Sequence, residues 1–289
     1  HRRTVMLIDF RVRPPFKSFL KLDIFANASW RNHEQKGIRS GREWCASFEK
    51  PCMEAFMDEF EANGTTLGVV MGRRNIGGGT FGQGNVTPED LYELMNAYPG
   101  KFVGMGGFDV AQPDLLKDVE HSVKELGMRG VCIEPTWSDK IYYADDPFLF
   151  DLYQCCDELN VPVCITMSFR QGPSIKCADP MQIEGVARKF PNLKIIIPHA
   201  GWPFFINSMA IQAAYPNVYM IPDVYLYPEF MPLREDYVRF SNVATPGQVL
   251  YASSYPVRSM GQALRLWRQM AWFADTLEKT LYGNAAKLP

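Results

Sequence analysis

Short apolar runs, rich in β-branched residues, alternate along this chain with segments of helical periodicity. Eight runs have the length and composition of buried strands, at 4–10, 67–72, 102–108, 130–135, 161–167, 193–199, 217–223 and 248–254. Amphipathic helical stretches accompany them, at 46–63, 88–97, 112–126, 147–159, 179–190, 202–214, 233–243 and 261–274. Strands that are apolar along their whole length are typical of a parallel sheet covered by helices. The pattern predicts one (β/α)8 TIM-barrel domain over 1–289, with an open doubly wound sheet as the alternative.

Two connections are longer or richer in glycine than a barrel needs. The segment 11–45 separates the first strand from the first helix, and a connection of that length is usually functional or disordered. Its aromatic residues favour an ordered lid. The stretch "GRRNIGGGTFGQGN" (72–85) has no phosphate-loop spacing, so we interpret 75–84 as a mobile loop over the active site.

Composition narrows the classes of partner. The 289 residues carry a net charge of -2 and show no dense basic face, which argues against nucleic acid. No apolar run reaches the length of a membrane span, and the first residues lack the pattern of a signal peptide. The seven cysteines include no C-x-x-C pair, so we expect reduced thiols in a cytoplasmic protein.

A homo-oligomer, such as a dimer, is a further expectation. The segment "RLWRQMAWFADTL" (265–277) is rich in large apolar and aromatic residues that a partner copy would cover. The alternative is that the same residues pack against the barrel.

In a barrel of this kind, working residues lie at the carboxyl ends of the strands. That rule selects Arg11, Arg13, Arg73, Glu134, Arg170, His199, Asp223, Tyr225 and Ser254. Structural alternatives exist for each: the arginines pair with loop acids, Glu134 is their counter-ion, and Ser254 caps the last helix. His199 also has the alternative of a packed histidine bonded to backbone.

The arginine pair at the end of the first strand is unusual. Arg11 and Arg13 are two positions apart, so an extended backbone places both side chains on the same side. Two like charges in a partly desolvated site need a nearby anion. That anion is either a substrate carboxylate or an internal network that includes Asp9 and Glu134.

Four motifs resemble the amidohydrolase superfamily: "LIDFRVRPP" (7–15), "KIIIPHAGWPF" (194–204), "VLYASSYPV" (249–257) and "LYGNAAKL" (281–288). Their arrangement is most similar to the amidohydrolase-related branch, which includes pyrone-dicarboxylate lactonases and decarboxylases of the aminocarboxymuconate-semialdehyde type. That resemblance implies one or two divalent metals, held by His-x-His after the first strand, His or Lys after the fourth, and His after the fifth and sixth. It also implies an Asp after the eighth strand. The corresponding positions here are Arg11 and Arg13, Glu134, Thr166, His199 and Ser254.

An arginine carries no lone pair for a metal, so most of the family's ligands are replaced. We expect no binuclear site and no cofactor beyond at most a single divalent metal, which Glu134 and His199 would hold. The resemblance then implies hydrolysis of a small cyclic substrate that bears a carboxylate, such as a lactone or amide. The alternatives are a lyase (decarboxylase or hydratase) on a similar carboxylate and a non-catalytic ligand-binding or partner subunit.

Roles follow from these expectations. The general base is one of His199, Glu134 and Asp223, with the arginines holding the substrate carboxylate and stabilising negative charge in place of a metal. The predicted substrate-binding residues are Arg11, Arg13, Arg73, Arg170, Trp202, Tyr225, Ser254 and Tyr255.

Overall fold

The sheet of this protein is built from parallel strands that pair in chain order. A computed structural model describes residues 6–26, 41–76 and 84–288. Its strands are β1 (Ile8–Asp9), β2 (Leu67–Met71), β3 (Phe102–Phe108), β4 (Val131–Ile133), β5 (Val163–Ile165), β6 (Ile195–Pro198) and β7 (Val218–Ile221). Every neighbouring pair is parallel, and the order is β1-β2-β3-β4-β5-β6-β7. A sequential order confirms the barrel and excludes the doubly wound alternative, whose order reverses.

The segment 248–254 lies between β7 and β1, although it forms no regular strand. It makes one parallel bridge, between Met220 and Val249, and the Phe10 amide donates to the Tyr251 carbonyl at 2.9 Å. Other amides of the segment bond elsewhere: Tyr251 N–H donates to the Thr280 carbonyl at 3.0 Å. The prediction of an eighth strand was therefore wrong in detail, because these amides leave the ladder, but the segment takes the eighth position of the barrel.

Helices lie between the strands, close to the positions that the sequence predicts. The α-helices are Asp23–Ala26, Ala46–Glu49, Met53–Ala62, Pro88–Ala97, Leu115–Lys124, Phe150–Glu158, Glu184–Lys189, Phe205–Ala214, Arg234–Val243, Met260–Gln269 and Ala274–Glu278. The helix Pro88–Ala97 begins with a capping box, in which Thr87 and Asp90 exchange side-chain-to-backbone hydrogen bonds. No helix of the described residues is long and apolar enough to cross a membrane.

Short 3-10 turns and one π-helical turn complete the described elements. The 3-10 turns are Lys17–Lys21, Pro135–Trp137, Pro147–Leu149, Ile175–Ala178, Pro180–Ile183, His199–Gly201, Asp223–Tyr225 and Ala285–Lys287, and the π turn is Lys279–Gly283. Three of them, Pro135–Trp137, His199–Gly201 and Asp223–Tyr225, begin within two residues of a strand's end, where the predicted site residues lie. The centre of the predicted lid (27–40), most of the glycine loop (77–83) and positions 4 and 5 of the first predicted strand lie outside the described residues.

The core has an inner layer and an outer layer, as alternation along buried strands requires. Cys132, Cys164 and Ile196 belong to the inner cluster, whereas their neighbours Val131 and Ile133 pack toward the helices. All seven cysteines are free.

The ends of β2 and β3 approach each other closely. A Cβ built on Gly107 would lie 2.1 Å from the Arg73 amide nitrogen, and one on Gly72 would lie 2.4 Å from the Gly107 nitrogen. Such contacts leave no room for a side chain at either position. The two glycines therefore fix the backbone that carries Arg73 into the site.

Candidate active site

A cavity of about 510 Å³ is lined by residues that follow the barrel strands. Of the predicted residues, eight line it: Arg11, Arg13, Arg73, Glu134, Arg170, His199, Trp202 and Tyr225. Asp223 and Ser254 are fully buried behind His199, and Tyr255 lies elsewhere. Residues that are far apart in the chain therefore meet at the carboxyl end of the barrel, as the strand-end rule predicts.

His199 and the fully buried Asp223 form a hydrogen-bonded pair in the site. The Nδ1 of His199 lies 2.9 Å from Asp223 Oδ1, and Ser254 Oγ donates to Asp223 Oδ2 at 2.6 Å. Arg11 reaches the same pair: its Nη1 is 2.6 Å from His199 Nε2 and 3.4 Å from Asp223 Oδ2. Asp223 thus accepts from three side chains and orients the imidazole.

The backbone is strained where these side chains enter the site. His199, Asp223 and Ser254 have φ angles of 68°, 32° and 55°, in the left-handed region that residues other than glycine rarely adopt. His199 directly follows β6, Asp223 lies two residues after β7, and Ser254 is the last residue of the segment 248–254. Strain of this kind costs about 1–3 kcal/mol per residue and is concentrated at functional sites.

The protonation states follow from burial and from these contacts. Burial lowers the pKa of His199, and the positive charge of Arg11 acts in the same direction, against the opposing effect of Asp223. Burial by itself would raise the pKa of Asp223, but its contacts with His199, Arg11 and Ser254 outweigh burial and lower it. At neutral pH the pair is a neutral imidazole that donates from Nδ1 to an ionised carboxylate.

Glu134 accepts hydrogen bonds from two neighbouring side chains. Its Oε2 accepts from Arg73 Nε at 2.8 Å and from Asn75 Nδ2 at 2.7 Å. Burial opposes ionisation, but the charges of Arg73 and Arg11 and the Asn75 bond prevail, so the pKa of Glu134 is lowered. The internal Arg–Glu pair that the sequence left open therefore forms with Arg73.

Arg13 has a different environment. Its Nη1 is buried, and the structure gives it no hydrogen-bond partner within the described ranges. Burial, followed by the positive charges of Arg11 and Arg73, lowers the pKa of Arg13 to about 9. Arg73 likewise keeps a buried Nη2 that has no hydrogen-bond partner among the residues that the structure describes. Two guanidinium donors of this cavity are thus unsatisfied, and such groups favour an incoming anion.

An aromatic wall flanks the charged groups. The rings of Trp202 and Tyr225 stack at 5.0 Å with an interplanar angle of 2°, and Phe169 contacts both edge-on. The Tyr225 ring also lies edge-on to His199, at 5.5 Å. Burial raises the pKa of Tyr225 to about 12, so its hydroxyl stays protonated.

Tyr255 was wrongly expected at the site. It is fully buried between Phe48 and Phe56, and its hydroxyl donates to the Ser47 carbonyl at 3.4 Å. A strand-end position directs one side chain toward the mouth and the next one away from it, which places Ser254 toward Asp223 and Tyr255 toward the outer core.

Several cavity residues were missed. Phe169 adjoins Arg170 in sequence. Asn75, which bonds Glu134 but does not line the cavity, lies two residues after Arg73, so extending the strand-end rule by two residues finds both. Cys132 belongs to an apolar strand and carried no visible signal. The other missed residues with polar side chains are Arg42, Arg74, Ser168, Gln171 and Arg258.

The metal that the resemblance implies does not match the donors present. Within the described part of the chain, no three His, Cys, Asp or Glu side chains are grouped to hold an ion. Glu134 is bonded to Arg73 and Asn75, and Arg11 lies against His199. Catalytic sites for zinc-like ions use three protein ligands, so this set does not fit one.

Solved structures share this architecture. An uncharacterised TIM-barrel protein from Bordetella bronchiseptica is 29% identical, with a TM-score of 0.87, and the match covers 98% of each chain. A 5-carboxyvanillate decarboxylase from Novosphingobium aromaticivorans, complexed with manganese and a nitrobenzoic acid, is 15% identical (TM-score 0.66; 99% and 97% covered). A 4-oxalomesaconate hydratase from Rhodopseudomonas palustris is 18% identical (TM-score 0.63; 97% and 94% covered). At such identities, the last two show the shared fold alone.

A family model described as amidohydrolase matches residues 53–288, which is most of the chain. The match includes the strands that carry Arg73, Glu134, His199 and Asp223 into the cavity. By this match, and in agreement with the motifs in its sequence, the chain belongs to the amidohydrolase family.

Proposed function

We propose that this chain is a lyase that acts on a small unsaturated or aromatic carboxylate. Arg13 and Arg73 hold the carboxylate, the aromatic wall of Phe169, Trp202 and Tyr225 contacts the planar body of the substrate, and His199 moves a proton. In a decarboxylation, the bond between the substrate and a carboxylate breaks, carbon dioxide leaves, and a proton replaces it on the carbon. In a hydration, His199 accepts a proton from water as the water oxygen bonds to one carbon, and the neighbouring carbon takes up a proton.

The observation that carries the proposal is the unsatisfied pair of guanidinium donors. Arg13 Nη1 and Arg73 Nη2 are buried and have no partner within the described residues, and both side chains line the cavity. A carboxylate has two oxygens that accept such donors in a planar, charge-assisted arrangement. Binding an anion would satisfy both donors and offset the repulsion among Arg11, Arg13 and Arg73.

His199 is suited to the proton transfer. Of the cavity-lining side chains it has the ordinary pKa closest to neutral pH, and its surroundings keep it unprotonated. Asp223 fixes the ring through Nδ1 at 2.9 Å, which leaves Nε2 as the reacting nitrogen once substrate draws the Arg11 guanidinium away. Glu134 and Asp223 serve as counter-ions rather than as bases in this proposal.

The names of the structural relatives favour a lyase over the hydrolase that the sequence suggested. One is a decarboxylase and another a hydratase, and both names refer to carboxylates. Hydrolysis of a carboxylate-bearing lactone is the second candidate. The His199–Asp223 pair supports it, because an oriented neutral imidazole can also activate water.

We propose further that the reaction requires no divalent metal, with Arg11, Arg13 and Arg73 supplying the positive charge at the site. The chain acts as one domain in the cytoplasm. Trp267 and Met270 of the segment 265–277 pack into the chain's own core, so a homodimer through this segment, our proposal for its assembly, would depend on the exposed Phe273. A non-catalytic ligand-binding or partner subunit is the alternative to an enzyme.

The test is a screen of aromatic and unsaturated mono- and dicarboxylates and of carboxylate-bearing lactones, with chelator present, read by mass spectrometry. Loss of carbon dioxide or a change of one water without ring opening supports the lyase, whereas ring opening supports the hydrolase. The screen is repeated with Arg13→Met, which should bind the carboxylate more weakly. Arg129→Met is its matched control, because Arg129 is an exposed arginine that does not line the cavity. Tight binding without turnover would show a non-catalytic protein, and no carboxylate binding at all would refute the proposal.

A further inference from the structure

We infer that Arg11 keeps His199 a weak base while the site is empty, and that a bound carboxylate releases this restraint. Ligand binding and protonation of His199 are then coupled, so the substrate itself prepares the base that acts on it. The inference rests on the proposed carboxylate site and adds how that site controls its own proton transfer.

The Arg11 guanidinium lies against the imidazole of His199. Its Nη1 is 2.6 Å from Nε2 and 3.4 Å from Nδ1, so the positive charge is close to both ring nitrogens. In the neutral pair, Nδ1 already carries the proton that it donates to Asp223 Oδ1 at 2.9 Å. A second proton would have to bind Nε2, the ring nitrogen closest to Arg11. Because arginine is a permanent cation at neutral pH, its position disfavours the imidazolium form.

Four charged or titratable side chains face this ring. They are Arg11 and Arg13, which follow β1, and Asp223 and Tyr225, which follow β7. Asp223 favours the imidazolium, but its Oδ2 also accepts from Ser254 Oγ at 2.6 Å, which weakens its attraction for a protonated ring. The Tyr225 hydroxyl stays protonated and adds no charge. Burial, together with the two arginines, therefore lowers the pKa of His199 in the empty site despite Asp223.

A carboxylate held by Arg13 and Arg73 brings a negative charge into the same cavity. That charge offsets the arginine charges and also stabilises the imidazolium directly, so both effects raise the pKa of His199. A charge within about 4–6 Å of a titrating group changes its pKa by about 1–3. The direction follows from the sign of the charge, so it holds for any carboxylate that satisfies the two guanidinium nitrogens without a partner among the described residues.

This coupling suits a general base. A base is most effective when its pKa is near the working pH, and the empty site lowers the pKa of His199 away from that range. A rise on binding makes the imidazole more basic when it has to take a proton. By reciprocity, protonation of His199 strengthens carboxylate binding by the same factor. Affinity should therefore increase as the pH falls from the pKa of the bound state to that of the free state.

The test is the pKa of His199 in the full chain, measured from the ring C–H signals in a nuclear magnetic resonance titration. The chain has four histidines, and the signal that His199→Gln removes identifies the one at the site. The variants are Arg11→Met, which removes the charge, Arg11→Lys, which keeps it, and Arg13→Met. Arg129→Met is the matched control, because Arg129 is exposed and does not line the cavity. Each titration is repeated with benzoate as the carboxylate probe.

Without benzoate, Arg11→Met should raise the pKa of His199 by about 1 or more, and Arg13→Met should raise it by less, because Arg11 is the arginine in contact with the ring. Arg11→Lys should keep most of the wild-type lowering, and Arg129→Met should keep all of it. Benzoate should raise the pKa of His199 in the wild type by about 1 or more and in Arg11→Met by less. Calorimetry of benzoate binding in buffers of different ionisation enthalpy should show proton uptake between the two pKa values.

Each part of the inference has an outcome that would overturn it. A folded Arg11→Met with the wild-type pKa of His199, or with a smaller rise than Arg13→Met causes, would show that Arg11 does not restrain the ring. Benzoate that binds without changing this pKa would overturn the coupling and leave the proposed carboxylate site intact. A wild type that binds no benzoate would overturn the coupling together with that site. If Arg11→Met fails to fold, the benzoate titration of the wild type still decides whether binding and protonation are coupled.

Discussion

Replacing Arg13 with methionine tests the electrostatics of the site most directly. In the described part of the chain, a buried nitrogen of this cationic side chain has no hydrogen-bond partner. Burial, together with the charges of Arg11 and Arg73, lowers the pKa of Arg13 from 12.5 to about 9. At 1.36 kcal/mol for each pKa unit, this corresponds to roughly 5 kcal/mol against the charged form. The Arg13 side chain keeps some solvent exposure, so water screens part of this unfavourable energy. We therefore expect Arg13→Met to raise the free energy of unfolding by about 1–3 kcal/mol.

The sign of the effect depends on pH. A cation whose pKa is lower in the folded state destabilises the protein wherever it is charged there, which is below about pH 9 for Arg13. The advantage of Arg13→Met should therefore be full at pH 7 and decrease above pH 9, as the wild-type side chain begins to lose its proton. Denaturant unfolding at both pH values, without ligand, measures this difference.

Ligand binding should change in the opposite direction. A hydrogen bond to a charged group contributes about 1.5–3 kcal/mol, so Arg13→Met should weaken carboxylate binding by roughly 10- to 150-fold in calorimetry. Arg13→Lys should recover little of this, because a point charge does not reproduce the planar fork. Lower stability combined with unchanged affinity would refute the reasoning and make Arg13 a structural residue.

Three further predictions rest on other parts of the site. Gly107→Ala should lower the free energy of unfolding in urea by about 1–3 kcal/mol, because its Cβ would meet the Arg73 backbone at 2.1 Å. Gly185→Ala is the control, since open space surrounds that position and the free energy of unfolding should not fall. Equal effects of the two substitutions would contradict this. The value of kcat/KM should decrease on acidification with a midpoint below pH 6.5, because the folded site lowers the pKa of His199. A midpoint above pH 6.5 would be evidence against His199 as the base. Burial raises the pKa of Asp9 to about 6, so its ionisation should lower the free energy of unfolding by roughly 3 kcal/mol as the pH rises from 4 to 6. If the free energy of unfolding of Asp9→Asn falls by the same amount over this range, Asp9 is not the cause.

Much of the fold was predictable because burial on both faces leaves a direct trace in the sequence. A strand such as β6 (Ile195–Pro198) is covered by helices outside and by the barrel core inside, so every residue must be apolar. The helix Pro88–Ala97 was predicted with its exact limits, because the capping residues that begin it are local. The eighth position was predicted less well, since whether the amides of 248–254 stay in the ladder depends on partners such as Thr280 that only the folded chain supplies.

The site was predictable as a set of positions and less so as a set of roles. Parallel strands bring their carboxyl ends to one mouth, so Arg11, Glu134 and His199 had to meet there. Which charge pairs with which depends on distances of a few ångströms. Arg73 pairs with Glu134, and Arg11 contacts Asp223 and His199. Arg13 keeps a buried nitrogen that has no partner among the described residues.

The sequence by itself therefore determined the barrel, the strand ends that face its mouth and the excess of arginine among the residues placed there. These features depend on periodicity and on side-chain chemistry, which are local properties of the chain. Only the tertiary structure decided that Tyr255 belongs to the core, that Asp223 orients His199, and that Arg11 lies against both of them. The physical reason is that pairing energies in a desolvated site change steeply with distance and burial, and neither quantity is written in the order of residues.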